Sequence, residues 1–313
     1  MRTQNSISAV SEKENSLRGI FKRELPLHLM LLPGVIQTLI FAYYPMMGIV
    51  MAFQKYNPAL GFSRSKWVGL KNFEFVFKMK DFYTVIGNSL VISLLKIVFG
   101  IVVPLALSLL LNEVAFMKLK KFIQTSLFLP YFLAWTLLGG IVLEIFSLDG
   151  IINTFIKLLG HEPIYFMVDG GWFRFILVAT DVWKNMGYNM VIFLAAITNI
   201  NPNQYEAAAI DGASKWKQTL HVTLPGMMPI VVLVSTLSIG SILDAGFEQV
   251  LVLYNPLVYD TGDIIDTFVY RMGLLSGQFS PAAAVGLFKS CISFLLVSIS
   301  YYLAYKLSHY RIF

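Results

Sequence analysis

The chain has few of the residues with which enzymes build active sites. It has one cysteine, Cys291, which excludes an internal disulfide and a cysteine-rich metal site. Its four histidines are scattered, and it contains no HExxH, CxxC, GxSxG, GxxxxGKS or GxxxxGKT sequence. Without the last two motifs, the chain does not hydrolyse ATP through a P-loop. A catalytic function therefore has almost no support from the sequence.

Charged residues are scarce as well. They make up 13% of the chain, whereas hydrophobic residues make up 57%, and soluble domains average about 25% charged residues. The hydrophobic residues come in long runs, which predicts an integral protein of the lipid bilayer. The net charge of +6 fits loops at a membrane surface better than a nucleic-acid partner, so no nucleic acid is expected.

Six apolar runs predict an all-α, polytopic membrane protein with six transmembrane helices. The predicted spans are about 27–53, 85–111, 122–146, 172–200, 227–253 and 281–307. Residues 1–26 form a polar tail whose end has the apolar spacing of a helix lying on the membrane surface. The first apolar run is too long for a signal peptide and lacks a cleavage site. We therefore expect a short tail followed by one transmembrane domain, residues 27–313.

The lysines and arginines are distributed with a modest bias that places both termini in the cytoplasm. The tail has five of them, and the segments expected on the same side add Lys118, Lys120, Lys121, Lys215, Lys217, Lys306 and Arg311. The loop between the first two spans works against this bias, because it is also basic. Charge alone therefore supports this orientation only weakly.

Polar residues inside the predicted spans are candidates for a transport path. An ionisable side chain in a bilayer costs at least about 2.5–3.5 kcal/mol and usually faces the interior of the helix bundle. Polar groups match sugar hydroxyls, and flat rings match the apolar faces of a sugar. The fourth span offers Trp183, Lys184, Asn185, Tyr188 and Asn189. The alternative is structural, with an Asp181–Lys184 ion pair and asparagines that hold helices together.

The later spans add three candidates. Asp244 and Glu248 are four residues apart, so they are expected to share a face of the fifth span. The alternative is that this end lies near the outer interface. Lys289 in the sixth span could reach the interface, pair with Glu248 or Asp244, or meet a carboxylated sugar. Lys96 and Glu144 are expected to be structural or interfacial.

The connection between the fourth and fifth spans is polar and alanine-rich, with the sequence NPNQYEAAAIDGASKWKQTLHVTLPGMMP over residues 201–229. Its composition predicts a short helix over 204–210, a turn at Asp211-Gly212 and a second helical piece over 214–222. Pro225 and Pro229 are expected where the chain re-enters the membrane. Composition alone favours an ordinary cytoplasmic loop with good helix formers.

The spacing in this connection resembles the EAA loop of binding-protein-dependent ABC importer permeases. Glu206-Ala207-Ala208 is followed after three residues by Gly212, and after nine more by VTLP, residues 222–225, with valine where isoleucine is usual. In that family this loop is the coupling helix, which is seated in a cleft of the ATPase subunit. For the EAA loop, residues 201–225, the resemblance implies ATPase-coupling roles for Glu206, Ala207, Ala208, Asp211, Gly212, Ala213, Leu224 and Pro225.

Other stretches are similar to the oligosaccharide permeases of carbohydrate-uptake ABC importers. They are FAYYPMMGIVMAFQKYNP, WVGLKNF, GFEQVLVLYNPLVYD, DTFVYRMGL and AVGLFKS. More narrowly, the chain resembles permeases for oligosaccharides of the polygalacturonan and alginate type. The resemblance implies a type I importer permease of the MetI-like fold, with a cytoplasmic coupling helix and alternating access.

The resemblance also implies the partners. They are a second homologous permease subunit, two ATP-binding subunits, an extracellular or periplasmic solute-binding protein and an oligosaccharide substrate. ATP and magnesium would bind to the ATPase subunits, so no cofactor or metal is expected in this chain. Because the EAA loop must face the cytosolic ATPase, the N- and C-termini are expected on the cytoplasmic side of the bacterial cell membrane.

Two other functions remain open at this stage. A permease of the same class could carry a solute other than a sugar, although the carbohydrate-type stretches argue against it. A channel or carrier that works without an ATPase would leave the EAA loop unexplained. A membrane enzyme is least favoured, because the chain lacks a catalytic set of residues.

Overall fold

The computed structural model describes residues 17–308. The chain divides after Met51 into two units. The described part of the first unit is helical and begins with α1 (Leu17–Thr38), which is followed by a π-helical turn (Leu39–Tyr43) and a 3-10 helix (Tyr44–Phe53) whose last two residues belong to the second unit. The helix α1 runs through residue 26, where the predicted tail meets the predicted transmembrane domain, and this division stays a prediction. Residues 1–16 of the predicted tail lie outside the described residues.

The second unit begins with two short antiparallel strands, β1 (Gln54–Lys55) and β2 (Lys66–Trp67). Its other elements are helices, and most of them are short. In chain order they are α2 (Gly61–Arg64), α3 (Lys71–Phe77), α4 (Lys80–Asn112), α5 (Met117–Phe128), α6 (Trp135–Ile145), α7 (Ile151–Leu158), α8 (Gly170–Thr198), α9 (Pro202–Ile210), α10 (Lys215–Gln218), α11 (Leu224–Gly240), α12 (Phe247–Leu253), α13 (Tyr259–Gly262), α14 (Ile265–Tyr270) and α15 (Phe279–Ser308).

Four helical runs in the described chain are long and apolar enough to cross a membrane by themselves: Glu24–Phe53, Lys80–Asn112, Lys215–Gly240 and Phe279–Tyr302. A fifth consists of two helical pieces, Met117–Phe132 and Trp135–Ile145, with a bend of 103° between them. The 29-residue helix α8 spans about 43 Å at 1.5 Å per residue, which is enough for a bilayer, but polar residues lower its hydropathy. The predicted count of six spans is compatible with these helices.

The third predicted span is bent, and the bend has a local cause. A 3-10 turn (Leu129–Phe132) follows α5, and Pro130 within it has no N–H for a continuing helix. Leu133 and Ala134 then take extended backbone angles before α6 begins. The bend therefore brings Tyr131 to the side of α8 instead of leaving it within a straight helix.

The fifth predicted span, 227–253, differs more from the structure. One helical run extends from Lys215 to Gly240, and the chain then turns and becomes irregular until α12 begins at Phe247. Gly246 in this break has a positive φ of 88°, which favours glycine. The apolar run is therefore a helix, a break and a second helix at a different place in the fold.

Buried polar contacts fix the connection that follows α12. Nδ2 of Asn88 on α4 lies within 3.4 Å of three carbonyl oxygens of residues 259–263, and Arg174 on α8 donates to Oδ1 of Asn88 at 2.9 Å. Arg271 pairs with the buried Asp263 at 2.5 Å. Burial by itself lowers the pKa of Arg271, but the hydrogen bond and charge of Asp263 outweigh it and raise the pKa above its ordinary value. The connection is thus held against α4 and α8.

Candidate functional site

A cavity of about 380 Å³ lies between the long helices of the second unit. Two of its walls are α4 and α8, which pack against each other, and the third is the end of α11 with the break that follows it. Its polar and aromatic lining residues are Ser93, Lys96, Tyr131, Asp181, Asn185, Tyr188, Asn189, Ser238, Ser241 and Asp244. A polar cavity among apolar helices is where a transport path is expected.

Lys96 of α4 holds the break after α11 against this cavity. Its ammonium donates to the carbonyl oxygen of Ala245 at 2.7 Å and to Oε1 of Gln249, and it lies 3.4 Å from Oδ1 of Asp181. The Gln249 amide donates in turn to the carbonyl oxygen of Leu177 on α8 at 2.8 Å. Lys96 therefore connects α4, α8 and the start of α12.

Replacing Lys96 by methionine is expected to lower the thermal stability of the purified protein. Removing one partner of a buried ion pair costs about 3–5 kcal/mol, and we expect the lower end because the Asp181 side chain is 22% exposed. Adding Asp181→Asn should recover most of the loss, because it removes the unpaired carboxylate. Thermal unfolding of both variants in detergent measures this, and a Lys96→Met variant as stable as the wild type would contradict it.

Two tyrosines stack on the cavity wall. The rings of Tyr131, from the bend before α6, and Tyr188, from α8, have centroids 4.7 Å apart and planes 9° apart. Phe128 stacks beside both. This approach depends on Gly187, because a Cβ at that position would lie 2.1 Å from the carbonyl oxygen of Leu127. The bend therefore contacts α8 through its backbone as well as through its rings.

The structure brings half of the predicted path residues to the cavity. Those that line it are Asn185, Tyr188, Asn189 and Asp244, and those that do not are Trp183, Lys184, Glu248 and Lys289. Trp183 and Glu248 are exposed at other positions. The path roles of all eight residues stay predictions, since position in a cavity does not establish contact with a substrate.

The Asp181–Lys184 ion pair weighed from the sequence is wrong. Lys184 donates to the carbonyl oxygen of Tyr131 at 2.8 Å, and its ammonium lies 5.5 and 5.9 Å from the ring centres of Tyr131 and Trp135. Asp181 pairs with Lys96 of α4 instead. Lys184 thus holds the bend of the third span against α8.

The expected contacts of the later spans are also corrected. Lys289 binds Asp266 of α14, with its ammonium 2.6 and 2.7 Å from the two carboxylate oxygens, and not Glu248 or Asp244. Asp244 and Glu248 do not share a helix face, because the helix ends at Gly240 and Asp244 lies in the break. Asp244 faces the cavity, whereas Glu248 lies in the first turn of α12.

Some cavity residues were missed from the sequence. Lys96 has the structural role that was one of its two expected roles, because it holds the break, but its place in the cavity lining was not predicted. Its signal was available, because it is an ionisable residue inside an apolar run. Four other lining residues could not be recognised from the sequence as cavity residues, because serine and tyrosine are common in membrane helices. They are Ser93, Tyr131, Ser238 and Ser241.

The first half of the EAA loop folds as predicted. Asn201 caps α9, and its side-chain oxygen accepts a hydrogen bond from the backbone N–H of Asn203 at 3.0 Å. Pro202 occupies the first turn, two residues before the predicted start. Gly212 has a φ of 74°, the left-handed conformation that commonly follows a helix end. The predicted turn at Asp211-Gly212 is therefore confirmed.

The second half of the loop continues into the membrane helix. Ser214 caps α10, and a π-helical turn (Thr219–Thr223) leads directly into α11. Pro225 lies at the start of α11, where the wider π turn accommodates its ring and its missing N–H. The predicted end at residue 222 is wrong, because one run extends from Lys215 to Gly240. This run connects the EAA loop to the cavity wall at Ser238.

The EAA loop presents charged and apolar side chains to solvent. Glu206 and Ala207 are exposed, and Ala208 is partly buried. Ile210 and Trp216 are 87% and 75% exposed. Large apolar side chains among charged ones are typical of a surface that another protein covers.

Comparisons with known proteins agree with this arrangement. Residues 97–309 match the family described as binding-protein-dependent transport system inner membrane component. Protein LplB of Bacillus subtilis (strain 168) is 41% identical over 95% of this chain and 94% of its own length. The polygalacturonan/rhamnogalacturonan transport system permease protein YteP of the same organism is 40% identical over 96% of this chain and 94% of its own length.

Solved structures match as well. A chain of a bacterial ABC transporter involved in the import of the acidic polysaccharide alginate superposes with a TM-score of 0.85 at 34% identity, over 93% of this chain and 99% of that chain. The same type of transporter in complex with an alginate pentasaccharide-bound periplasmic protein gives a TM-score of 0.84. The relatives are transport permeases and not enzymes. This chain therefore belongs to the family of binding-protein-dependent transport system inner membrane components.

Proposed function

We propose that this chain is the permease subunit of an ATP-driven importer that moves oligosaccharides delivered by an external solute-binding protein. Family membership and the alginate transporter structure support the importer. The names of the relatives that match over most of both chains support the oligosaccharide, since one carries polygalacturonan and rhamnogalacturonan and another arabinooligosaccharides.

The observation that carries this proposal is the continuous helix from the EAA loop to the cavity. The run Lys215–Gly240 begins in the loop and contributes Val234 and Ser238 to the cavity wall. A displacement of the loop by a partner therefore moves part of the cavity wall, because a helix transmits displacement along its axis. In this mechanism Glu206 and Asp211 accept charge-assisted hydrogen bonds from the partner.

The partners of the importer follow from this mechanism. They are a second homologous permease subunit, two ATP-binding subunits that hold ATP and magnesium, and the solute-binding protein. The EAA loop meets the ATP-binding subunits, so it lies in the cytoplasm together with both termini. The transmembrane permease domain, residues 27–313, is embedded in the bacterial cell membrane.

The cavity supplies this chain's part of the sugar path. Asn185, Asn189 and Asp244 provide hydrogen-bonding groups, and the Tyr131–Tyr188 pair provides flat surfaces. This combination suits a sugar, which has hydroxyls on its edges and apolar C–H groups on its faces. Lys184 and Lys289 have structural roles in this mechanism. Lys184 donates to the carbonyl oxygen of Tyr131, and Lys289 binds the carboxylate of Asp266.

Purification of this chain from bacterial membranes tests the proposal. Subunits with a P-loop should co-purify with it, and an oligosaccharide with the solute-binding protein should stimulate ATP hydrolysis by the reconstituted complex. A complex that responds only to a solute of another class would contradict the sugar substrate. A chain that transports without any P-loop subunit would be a channel or a stand-alone carrier.

A further inference from the structure

The cavity has no free positive charge among the described residues that line it. Lys96 is the one cation there, and an ammonium group has three N–H donors. Its neighbours are the carbonyl oxygen of Ala245 at 2.7 Å, Oε1 of Gln249 and Oδ1 of Asp181 at 3.4 Å. Two of its donors are therefore used in hydrogen bonds, and the carboxylate of Asp181 balances its charge.

The other polar groups of the wall offer both acceptors and donors, since the Asn185 and Asn189 amides each keep one N–H and the Tyr131 and Tyr188 hydroxyls are also in the lining. The hydroxyls of Ser238 and Ser241 donate to the backbone oxygens of Val234 and Ser238 at 2.8 and 2.9 Å. Only the acceptor lone pairs of both hydroxyl oxygens are left for a ligand. Asn185 and Asn189 each use one N–H on a backbone carbonyl, at 3.0 and 3.2 Å. Their side-chain oxygens have no such partner in the described chain.

The wall is also negative overall. Asp181 and Asp244 both line the cavity, and only Lys96 opposes them. The Asp244 carboxylate is exposed, and no hydrogen bond to it is present in the described chain. The cavity therefore has one negative charge in excess.

Ser93 points to a ligand with hydroxyl groups. Its side chain is 2% exposed, it lines the cavity, and its Oγ has no hydrogen-bond partner among the described residues. A buried hydroxyl without a partner is costly, so such groups usually meet water or a ligand. A sugar hydroxyl can donate to it and accept from it.

From the lack of a free cation, the excess negative charge and the unpartnered hydroxyl of Ser93, we propose that the cavity of this chain recognises uncharged, hydroxyl-bearing sugar units and disfavours sugar units with a carboxylate. The proposal rests on the proposed import of oligosaccharides and names the substrate class of the same site. A sugar hydroxyl carries no charge, whereas an ionised carboxylate is repelled by the excess negative charge of the wall, which is that of Asp244 because Lys96 pairs with Asp181. The alginate transporter, which imports an acidic polysaccharide, is expected to differ at these positions.

A matched pair of sugars tests the proposal. Trigalacturonate and the trisaccharide made by reducing its carboxylates to CH₂OH groups have the same linkage and length. The binding of each trisaccharide to the complete permease–ATPase complex in nanodiscs is measured by calorimetry. The solute-binding protein is left out, so that any preference between the two sugars comes from the complex. The carboxyl-reduced trisaccharide should bind at least about tenfold more tightly, the effect expected for one nearby like charge.

Asp244→Asn is the decisive variant, because its exposed side chain allows substitution without disturbing the fold. It should reduce the preference for the neutral trisaccharide about tenfold. Asp149→Asn is the control, because it removes the same negative charge at a place outside the cavity. The Asp149 side chain is 97% exposed. This variant should leave the preference unchanged.

The outcomes separate this proposal from the function on which it rests. Equal binding of the two trisaccharides by the wild type, tighter binding of trigalacturonate, or a preference unchanged in Asp244→Asn would overturn it. Absence of binding by both would also overturn it, because the cavity would then not be a sugar site. None of these results affects oligosaccharide-stimulated ATP hydrolysis with the solute-binding protein, and only loss of that stimulation would refute the import function.

Discussion

Replacing Glu206 by lysine should abolish ATP-driven uptake and leave the complex inserted in the membrane. Glu206 is exposed on α9, so lysine fits there without disturbing the fold. It removes an acceptor of charge-assisted hydrogen bonds and places a positive charge opposite the basic groups of the partner. Oligosaccharide uptake by proteoliposomes and ATPase stimulation measure the loss, and membrane yield confirms insertion.

Gln204→Lys is the matched control for this prediction. Gln204 is also exposed on α9 but lies on the opposite side of the helix, about 200° away at 100° per residue. This variant should keep most of the uptake, because it places a lysine on the side of the helix away from Glu206 and removes no carboxylate. If the Glu206→Lys complex hydrolyses ATP with the same stimulation by oligosaccharide as the wild type, the EAA loop has no role in coupling.

Replacing Gly187 by alanine should prevent the bend of the third span from packing on α8. A Cβ at this position would lie 2.1 Å from the carbonyl oxygen of Leu127 and 2.6 Å from Cα of Phe128. These are backbone atoms, so they cannot move aside as a side chain can. We expect a loss of about 3 kcal/mol or more in stability, the upper range for overpacking.

Thermal unfolding of the detergent-solubilised complex measures this loss, together with the amount of complex recovered from membranes. Gly87→Ala in α4 is the control, because a Cβ there has no atom within 4 Å. It should leave stability unchanged or raise it slightly, since alanine favours helix more than glycine does. If Gly187→Ala unfolds at the wild-type temperature, α8 and the bend do not make the backbone contact described here.

Local features of the fold were predicted well because local chemistry determines them. The ends of α9 follow from Asn201, Pro202 and Gly212, which act on neighbouring backbone groups. The short helix α7, Ile151–Leu158, likewise has its apolar residues at the spacing of an amphipathic helix. In both cases the signals lie within a few residues of the structure that they predict.

The break after α11 could not be predicted in the same way. Hydropathy does not distinguish a continuous helix from two helices with a break, because Ile242 and Leu243 within the break are as apolar as the helices. Leu243 is in fact fully packed against the core. The break is stabilised by Lys96 and Gln249, which approach it from distant parts of the chain.

The partners of charged residues were the least predictable part of the site. The sequence suggested Asp181 with Lys184, three positions along one helix, whereas Asp181 pairs with Lys96 from another helix. Pairing across helices depends on how α4 and α8 pack, which a single sequence does not reveal. The ionisable residues in the spans were nevertheless the right ones to examine, since Asp181, Lys96 and Asp244 all meet at the cavity.

Accumulation of a labelled oligosaccharide in proteoliposomes that contain the complete complex is the most direct test of ATP-driven import. The solute-binding protein is placed outside the vesicles and ATP is enclosed within them. The sugar concentration inside should rise above the outside concentration only when ATP and the binding protein are both present. Uptake that merely reaches the outside concentration, at the same rate without ATP, would contradict it and identify a channel or passive carrier.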